Sequence, residues 1–218
     1  MSTRIKKKAH KTRRQIQAEK AAQAIKLVKK ANLLSNPLQH LTDFHKYTSK
    51  DGSIFELTCD RVMNLPDETV KWIFDLMERN MKKLYEESSW GWNEDAKHTE
   101  MTENSAYYLI ATSEGKKVGF SHFRFDTDDD IEILYCYELQ LEPSARRKGL
   151  GRFMMQTLEA MAAKNQMQKV VLTVLRHNPI TLTFFHKLGY KQDTTNPSSS
   201  EGVDYAILSK QNLRLQKT

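Results

Sequence analysis

Cysteine is scarce in this chain: there are two, Cys59 and Cys136, far apart and each inside a strand-like run. Without a C-x-x-C pair they form neither a disulfide framework nor a redox motif, and they read as small buried hydrophobes kept reduced. The seven histidines show no metal-ligand spacing, so no metal is expected. No apolar run is long enough to cross a bilayer and no secretory leader is visible. The expected location is therefore cytoplasm and nucleus, with no membrane partner. Internal repeats are absent. So are two phosphate-binding signatures, the G-K-[ST] of a Walker loop and the G-x-G-x-x-G of a dinucleotide site.

Acidic residues are scarce at one end only. Residues 1–31 hold eleven Lys and Arg against the single acid Glu19, a charge of +10. The whole chain of 218 residues carries +7, so the remainder is −3. A mildly acidic body follows a strongly basic leader, and whole-chain basicity says little about what the body binds. Residues 1–34 are read as a basic extension and helix. Its apolar positions from Arg13 to Leu34 are Ile16, Ala21, Ala24, Ile25, Val28, Leu33 and Leu34. The extension is either a solvated charge run ahead of a docking helix, a nuclear import signal, or a ribosome or nucleic-acid contact through residues 1–31. Sequence alone does not separate these.

Residues 35–210 read as one domain of mixed α/β order, with 211–218 as a C-terminal tail. Leu38, Leu41, Phe44 and Tyr47 anchor a connector to the body. A strand is expected over 53–62, with Ile54, Leu57 and Cys59 among its apolar positions. Pro66 opens a helix whose core stripe is Val70, Ile73, Phe74, Met77, Met81 and Leu84. Trp90-Gly-Trp92 and a polar helix over 94–103 follow. Two strands around Ser113–Lys116 make a hairpin, and 126–130 is an acidic turn. Further strands are expected over 131–141, 169–175, just after Gly189 and over 203–209. Helices are expected after Arg146 and over 178–188.

The centre of the chain is Tyr135-Cys-Tyr-Glu-Leu-Gln-Leu-Glu-Pro-Ser-Ala-Arg-Arg-Lys-Gly-Leu-Gly151. An apolar strand stops at Pro143, and a glycine-bearing turn feeds an amphipathic helix. Free N–H groups and the positive end of the helix dipole suit phosphate there. This segment resembles the acyl-CoA pyrophosphate loop of the GCN5-related N-acetyltransferases, the GNAT superfamily, with Arg146, Gly149 and Gly151 at the motif positions. The run Leu172-Thr-Val-Leu-Arg-His-Asn178, followed by Phe184-Phe185-His-Lys-Leu-Gly-Tyr190, resembles the superfamily's next motif. The resemblance implies a GNAT acyl-CoA N-acyltransferase fold, α/β with a mixed sheet, carrying an N-terminal helical extension. It implies acetyl-CoA as the acetyl donor, released as CoA.

Longer runs narrow the resemblance. Tyr85-Glu-Glu-Ser-Ser-Trp-Gly-Trp92, Ser121-His-Phe-Arg-Phe-Asp126, Leu134–Leu141 and Arg146–Phe153 are similar to the NatD-type N-terminal acetyltransferases. That type implies transfer to the α-amine of histone tails beginning Ser-Gly-Arg-Gly, by a monomer without an auxiliary subunit. It further implies that Gln140, Leu141 and Glu142 offer backbone partners to the pantetheine and thioester. Lys148, Gly149, Leu150, Gly151, Arg152 and Phe153 would cradle the pyrophosphate, with Arg146 and Arg147 adding charge. Thr173 and Asn178 would touch the cofactor from the far strand. Tyr85, Trp90, Asp126, Tyr137 and Tyr205 would meet the peptide, and the acidic turn 128–130 would stand near its arginine. Transfer to lysine or small amines, or a degenerate fold serving as a nucleic-acid adaptor, are the alternatives.

The chemistry follows from the residues. Acetyl transfer needs a neutral amine, and an α-amine near pKa 8 is roughly a hundredfold richer in neutral form at pH 7 than a lysine near 10.4. Glu138, a carboxylate in an apolar strand, is the candidate base, with Tyr137 beside it. Strict alternation puts these two on opposite faces of the strand. The family's strand carries a bulge here that would bring them together, which sequence alone does not reveal. Many of these enzymes place a tyrosine acid where this chain has Phe185. Tyr135, Tyr137 and Tyr205 remain as possible donors.

Overall fold

The computed structural model of the protein describes residues 11–212. Residues 1–10 and 213–218, which include part of the basic leader and most of the tail, lie outside the described residues. Helix α1 (Arg13–Ala31) begins at Thr12, whose side chain and Gln15 form a reciprocal capping box. Its inner face is Ala24, Leu27, Val28 and Ala31, at i, i+3, i+4 and i+7. This corrects the expected stripe: Ile16, Ile25, Leu33 and Leu34 are exposed. Two alanines let the helix lie close to the sheet, where Asn32 just beyond it donates to the Phe125 carbonyl at 3.0 Å.

Among the described residues, eight strands form one sheet in the order β1-β2-β3-β4-β5-β6-β8-β7. Strand β1 (Lys46–Thr48), inside the expected connector, adds an edge to β2 (Ile54–Arg61). The buried positions of β2 are Phe55, Leu57 and Cys59, and Ile54 faces out. Helices α2 (Asp67–Glu86) and α3 (Glu94–Met101) precede the meander β3 (Tyr107–Ser113), β4 (Lys116–Asp128) and β5 (Ile131–Leu141). Both meander turns use two residues at positive φ, Glu114-Gly115 and Asp129-Asp130. Turns of that kind match the twist of the strands they join. The crossover helix α4 (Leu150–Lys164) carries the chain to β6 (Lys169–Leu175), which pairs parallel to β5. Helix α5 (Pro179–Lys187), β7 (Lys191–Gln192) and β8 (Tyr205–Gln211) complete the domain.

Each sheet face has its own core. One packs α1, α4 and part of α5, with Phe123, Phe125, Leu134, Cys136, Leu150, Met154 and Leu158 buried. The other packs α2 and α3, with Ile73, Leu76, Met77, Tyr108 and Phe120 buried. Cys59 and Cys136 are free and buried, and burial pushes the Cys136 thiol up to about 12. Among the described residues no helix is long and apolar enough to cross a membrane.

Two departures from regular pairing in β5 shape the centre of the sheet. The first is a bulge. His122 pairs with Glu138 and Phe123 with Cys136, so Tyr137 is the extra residue on β5. The second is a splay. The β5–β6 ladder runs from Ile133 to Cys136 and stops, while β6 continues against β8 to Leu175. Beyond Cys136, β5 is therefore laddered to β4 and has an open edge on its other side.

Candidate active site

The bulge changes which residues share a face. Before it, Leu134 and Cys136 point into the α4 core; after it, Leu139 and Leu141 do. The opposite face consequently presents Tyr137 and Glu138 together, with Tyr135 before and Gln140 after. Ser121, fully buried on β4, holds the kink: its hydroxyl donates to the Glu138 carbonyl at 2.8 Å. Tyr137 stacks on His122, approaches Tyr135 at 4.7 Å between ring centroids, and lies under the Arg124 guanidinium at 4.4 Å.

Glu138 is buried, and both of its carboxylate oxygens accept from protein donors. Its Oε1 accepts from the Tyr85 hydroxyl at 3.2 Å and the Lys97 ammonium at 2.7 Å, and its Oε2 accepts from Gln140 at 2.7 Å. Gln140 in turn accepts from Asn80, and Arg146 donates to the Asn80 amide oxygen at 2.7 Å. A continuous chain of hydrogen bonds thus joins the loop before α4 to the carboxylate. Lys97 was not among the residues singled out in the sequence, because it sits on a short polar helix.

The surrounding tyrosines are donors at neutral pH, not bases. Burial pushes Tyr135 up to about 12 and raises Tyr137 as well. His122 is fully buried between Tyr108 and Tyr137 and accepts from Arg124 Nε at 3.3 Å. Burial, then the charges of Arg124 and Lys97, hold it well below the usual histidine range, so it is neutral and a poor base.

An aromatic wall stands beside this cluster. Tyr85 stacks with Trp90 at 6.2 Å, and Trp90 meets Tyr205 at 5.0 Å. Trp92 closes the other side of Tyr85. Asp126 is exposed on β4, two residues beyond Arg124 and on the same face, about 7 Å along the strand. The acidic turn expected to stand with it is partly engaged elsewhere: Asp128 is 3.4 Å from the buried Lys169.

Where β5 runs into α4 the backbone is bare. Arg147 and Gly149 both have positive φ, 63° and 89°. Among the described residues, the N–H groups of residues 147–152 have no protein acceptor; the first helical bond runs from Phe153 N–H to Gly149. Alternating left-handed backbone with bare amides at a helix N-terminus is an anion-binding nest. A Cβ on Gly149 would lie 2.2 Å from the Tyr47 hydroxyl, which itself donates to the Lys148 carbonyl. This donor set fits a pyrophosphate.

Several expected contributors are placed differently. Glu142 N–H donates to Val118 and its carbonyl accepts from Ala145, which corrects its reading as a backbone partner. By strand alternation Gln140 also bonds toward β4, so Leu139 and Leu141 turn their N–H groups to the open edge. The Phe153 ring stacks on Tyr47 at 4.8 Å, away from the nest, and Leu150 is buried, offering its N–H alone. A Cβ on Gly151 would face Phe184 and Leu141 at 3.4 and 3.6 Å, so its side is packed rather than open. Arg146 pins the loop through the Leu141 carbonyl, and Lys148 pairs with Asp51. Arg152 is exposed on the first turn of α4. Thr173 is 2.5 Å from the Tyr135 hydroxyl, and the Asn178 side chain caps α5 through Thr181 N–H. Phe185 is buried against Tyr190 and has no proton to give.

A mixed sheet that splays past its central parallel pair, with a bare amide nest at the start of the crossover helix, is the framework of an acyl-CoA N-acyltransferase. The chain belongs to the Acetyltransferase (GNAT) family, whose model matches residues 72–190, more than half of its length. It is an acetyltransferase of that family. Over 109 residues, 50% of this chain and 69% of the relative, it is 23% identical to "Uncharacterized N-acetyltransferase YdgE" of Bacillus subtilis. Among solved structures, it resembles the PaiA N-acetyltransferase of Thermoplasma acidophilum in complex with coenzyme A. The TM-score is 0.53 at 15% identity, covering 72% of this chain and 99% of that one. It also resembles Naa50 of Arabidopsis thaliana with the bisubstrate analogue CoA-Ac-MVNAL. There the TM-score is 0.50 at 17% identity, covering 71% and 97%.

Proposed function

We propose that this enzyme acetylates the α-amine of protein N-termini, and in particular of histone tails beginning Ser-Gly-Arg-Gly, in the manner of the NatD type. The observation that carries the reading is the bulge at Tyr137, which sets Tyr137 and Glu138 side by side next to the Tyr85–Trp90–Tyr205 wall. Naa50, a structural neighbour, was crystallised with a peptide-bearing CoA analogue, which is consistent with this reading.

The residues divide the work. Acetyl-CoA, when bound, supplies the thioester carbon that accepts the amine and the thiol that leaves. The bare amides of residues 147–152 hold phosphate, and the N–H groups of Leu139 and Leu141 on the open edge of β5 meet the arm between phosphate and thioester. Glu138 takes the amine proton. An α-amine near pKa 8 asks little of such a base. With no tyrosine at position 185, Tyr137, protonated and on the same face as Glu138, is the hydroxyl proposed to return a proton to the thiolate. The aromatic wall is proposed to admit a serine side chain followed by a glycine, which has none, and to reject bulk. Asp126 attracts the third-position arginine; being exposed, it contributes about 0.2–1 kcal/mol, a few-fold preference.

The test is acetyl transfer to three peptides, beginning Ser-Gly-Arg-Gly, Ser-Gly-Ala-Gly and Ser-Leu-Arg-Gly, read by intact mass and fragment mapping. Acetyl is expected on the α-amine. The specificity constant should fall a few-fold for the second peptide and at least about tenfold for the third, the scale of steric rejection in a fitted pocket. Equal rates on all three, or acetyl on lysine side chains, refutes the reading.

A further inference from the structure

Helix α3 is two polar turns, yet one of its side chains enters the core beneath the aromatic wall. The Lys97 side chain is 11% exposed and its partner Glu138 3%. Lys97 Nζ lies 2.7 Å from Glu138 Oε1, 2.7 Å from Glu100 Oε1 and 3.1 Å from the Tyr85 hydroxyl, and it sits over the Tyr85 ring. Tyr108 from β3 and His122 and Arg124 from β4 complete the charged and titratable groups around it. Burial works against an ammonium here, but the negative charge of Glu138, with Tyr85 and Glu100, outweighs it and holds Lys97 far above the usual lysine range. The cation is permanent at any physiological pH.

Its geometry divides the two oxygens of the carboxylate. Among the described residues, Oε1 accepts from both Lys97 and Tyr85, whereas Oε2 accepts from Gln140 alone. Each carboxylate oxygen has two acceptor positions. Oε1 is filled, and Oε2 keeps one. A purely structural pair gives no reason for this arrangement, since a buried ion pair is commonly no more stabilising than apolar residues of the same volume.

We propose that Lys97 is a positioning residue for acetyl transfer: it holds Glu138 by Oε1, leaves Oε2 to receive the proton of the incoming amine, and by its fixed charge holds down the pKa of that amine once bound. The inference rests on Glu138 being the base for an α-amine. In the step, the amine nitrogen bonds to the thioester carbon, the carbon–sulfur bond breaks, the thiolate leaves, and one amine proton passes to Oε2 and then to solvent. A cation beside the site disfavours any ammonium there. An α-amine near pKa 8 is neutral roughly a hundredfold more often at pH 7 than a lysine near 10.4, a difference set in solution and not by Lys97.

The experiment compares wild type, Lys97→Gln and Lys97→Arg at saturating acetyl-CoA, following kcat against pH on an α-amine peptide and the ratio of α- to ε-acetylation. Glutamine keeps a hydrogen-bond donor and removes the charge; arginine keeps the charge. Loss of a cation at this range raises the pKa of the bound amine. The acid limb of kcat should therefore move up by roughly 1–3 pH units in Lys97→Gln. The α-to-ε ratio of specificity constants should not fall, because the cation acts on both amines alike, and acetyl-CoA affinity should be unchanged by calorimetry. In Lys97→Arg the limb should stay in place, and this variant alone decides the matter if Lys97→Gln does not fold. A limb that stays put in Lys97→Gln, or one displaced as far in Lys97→Arg, overturns the role of Lys97 while leaving α-amine transfer intact. Wild-type enzyme that acetylates no α-amine overturns both readings.

Discussion

The Asp204 carboxylate accepts the Ser89 backbone N–H and, at 3.0 Å, the Ser89 hydroxyl, and so ties the Trp90 loop to the start of β8. The Ser89 backbone N–H is the main reason Asp204 lies below the usual carboxylate range. The aromatic wall therefore depends on a polar clasp outside it. Asp204→Ala should release the loop and loosen the 5.0 Å contact of Trp90 with Tyr205. The expected result is a peptide KM raised roughly three- to tenfold with kcat nearly unchanged, as for loss of uniform binding. Steady-state kinetics at saturating acetyl-CoA measure it, and an unchanged KM would show that the wall stands without its clasp.

Glu138→Gln keeps the shape of the strand and removes the proton acceptor. Turnover should fall by about 10²-fold or more, with acetyl-CoA affinity unchanged by calorimetry. The variant also leaves the Lys97 ammonium with Glu100 as its remaining carboxylate partner, so melting temperature should drop; breaking a buried pair costs about 3–5 kcal/mol. Rates must be taken well below the variant's melting point. Turnover within threefold of wild type from about pH 6 to 9 would make Glu138 a structural residue.

Gly149→Ala tests the phosphate nest more cleanly than a charged residue at Gly151, whose side is packed against Phe184 and Leu141. At φ 89° and with Tyr47 in the way, an alanine at 149 forces the loop to shift. Strain of this kind costs about 1–3 kcal/mol. Acetyl-CoA affinity should fall at least about tenfold, read by isothermal titration, while the far-ultraviolet spectrum keeps its wild-type form. Equal affinity in the two proteins would place the cofactor elsewhere.

Acid stability should depend on a site remote from the chemistry. Asp193 and Lys169 form a buried pair at 2.9 Å. Burial alone would raise the Asp193 pKa, but donors from Ser209, Thr195 and Lys169 together hold it well below the usual range. A depressed carboxylate contributes stability above its unfolded pKa of about 3.9 and loses it as pH falls toward the folded value. Wild type should therefore lose melting temperature progressively below about pH 4. Asp193→Asn should flatten that slope and lower stability at neutral pH by about 3–5 kcal/mol, the cost of leaving Lys169 buried without its main partner. Denaturant melts at pH 7 and pH 3 make the comparison.

Periodicity carried most of the fold because each core face repeats with a period the chain can show. The stripe Ile73, Met77 and the strand over 169–175 needed no tertiary information. Helix α1 is different: its charge-rich sequence offers several weak stripes, and packing against β4 and β5 selects the one built on alanines. Strand β1 is three residues long and is a strand only because β2 lies beside it. The bulge shows only in the pairing register, and with it in place the inward phase of β5 passes from Leu134 and Cys136 to Leu139 and Leu141. That shift puts Tyr137 and Glu138 on one face. Lys97 left no trace in the sequence. A lysine on a polar helix is ordinarily solvated, and its burial is decided by Glu138 from β5 and Tyr85 from α2, with Glu100 one turn along its own helix.

The splay of β5 from β6 has a further meaning when considered as a boundary. Sheet edges at the periphery invite pairing by other chains and promote aggregation. The edge left on β5 beyond Cys136 is internal, flanked by β6 on one side and by α2 and α4 across the two faces. A slender chain bearing amide groups that lay along it would complete the interrupted ladder with its own donors and acceptors. The splay thus keeps unspent backbone polarity inside the fold instead of at its rim.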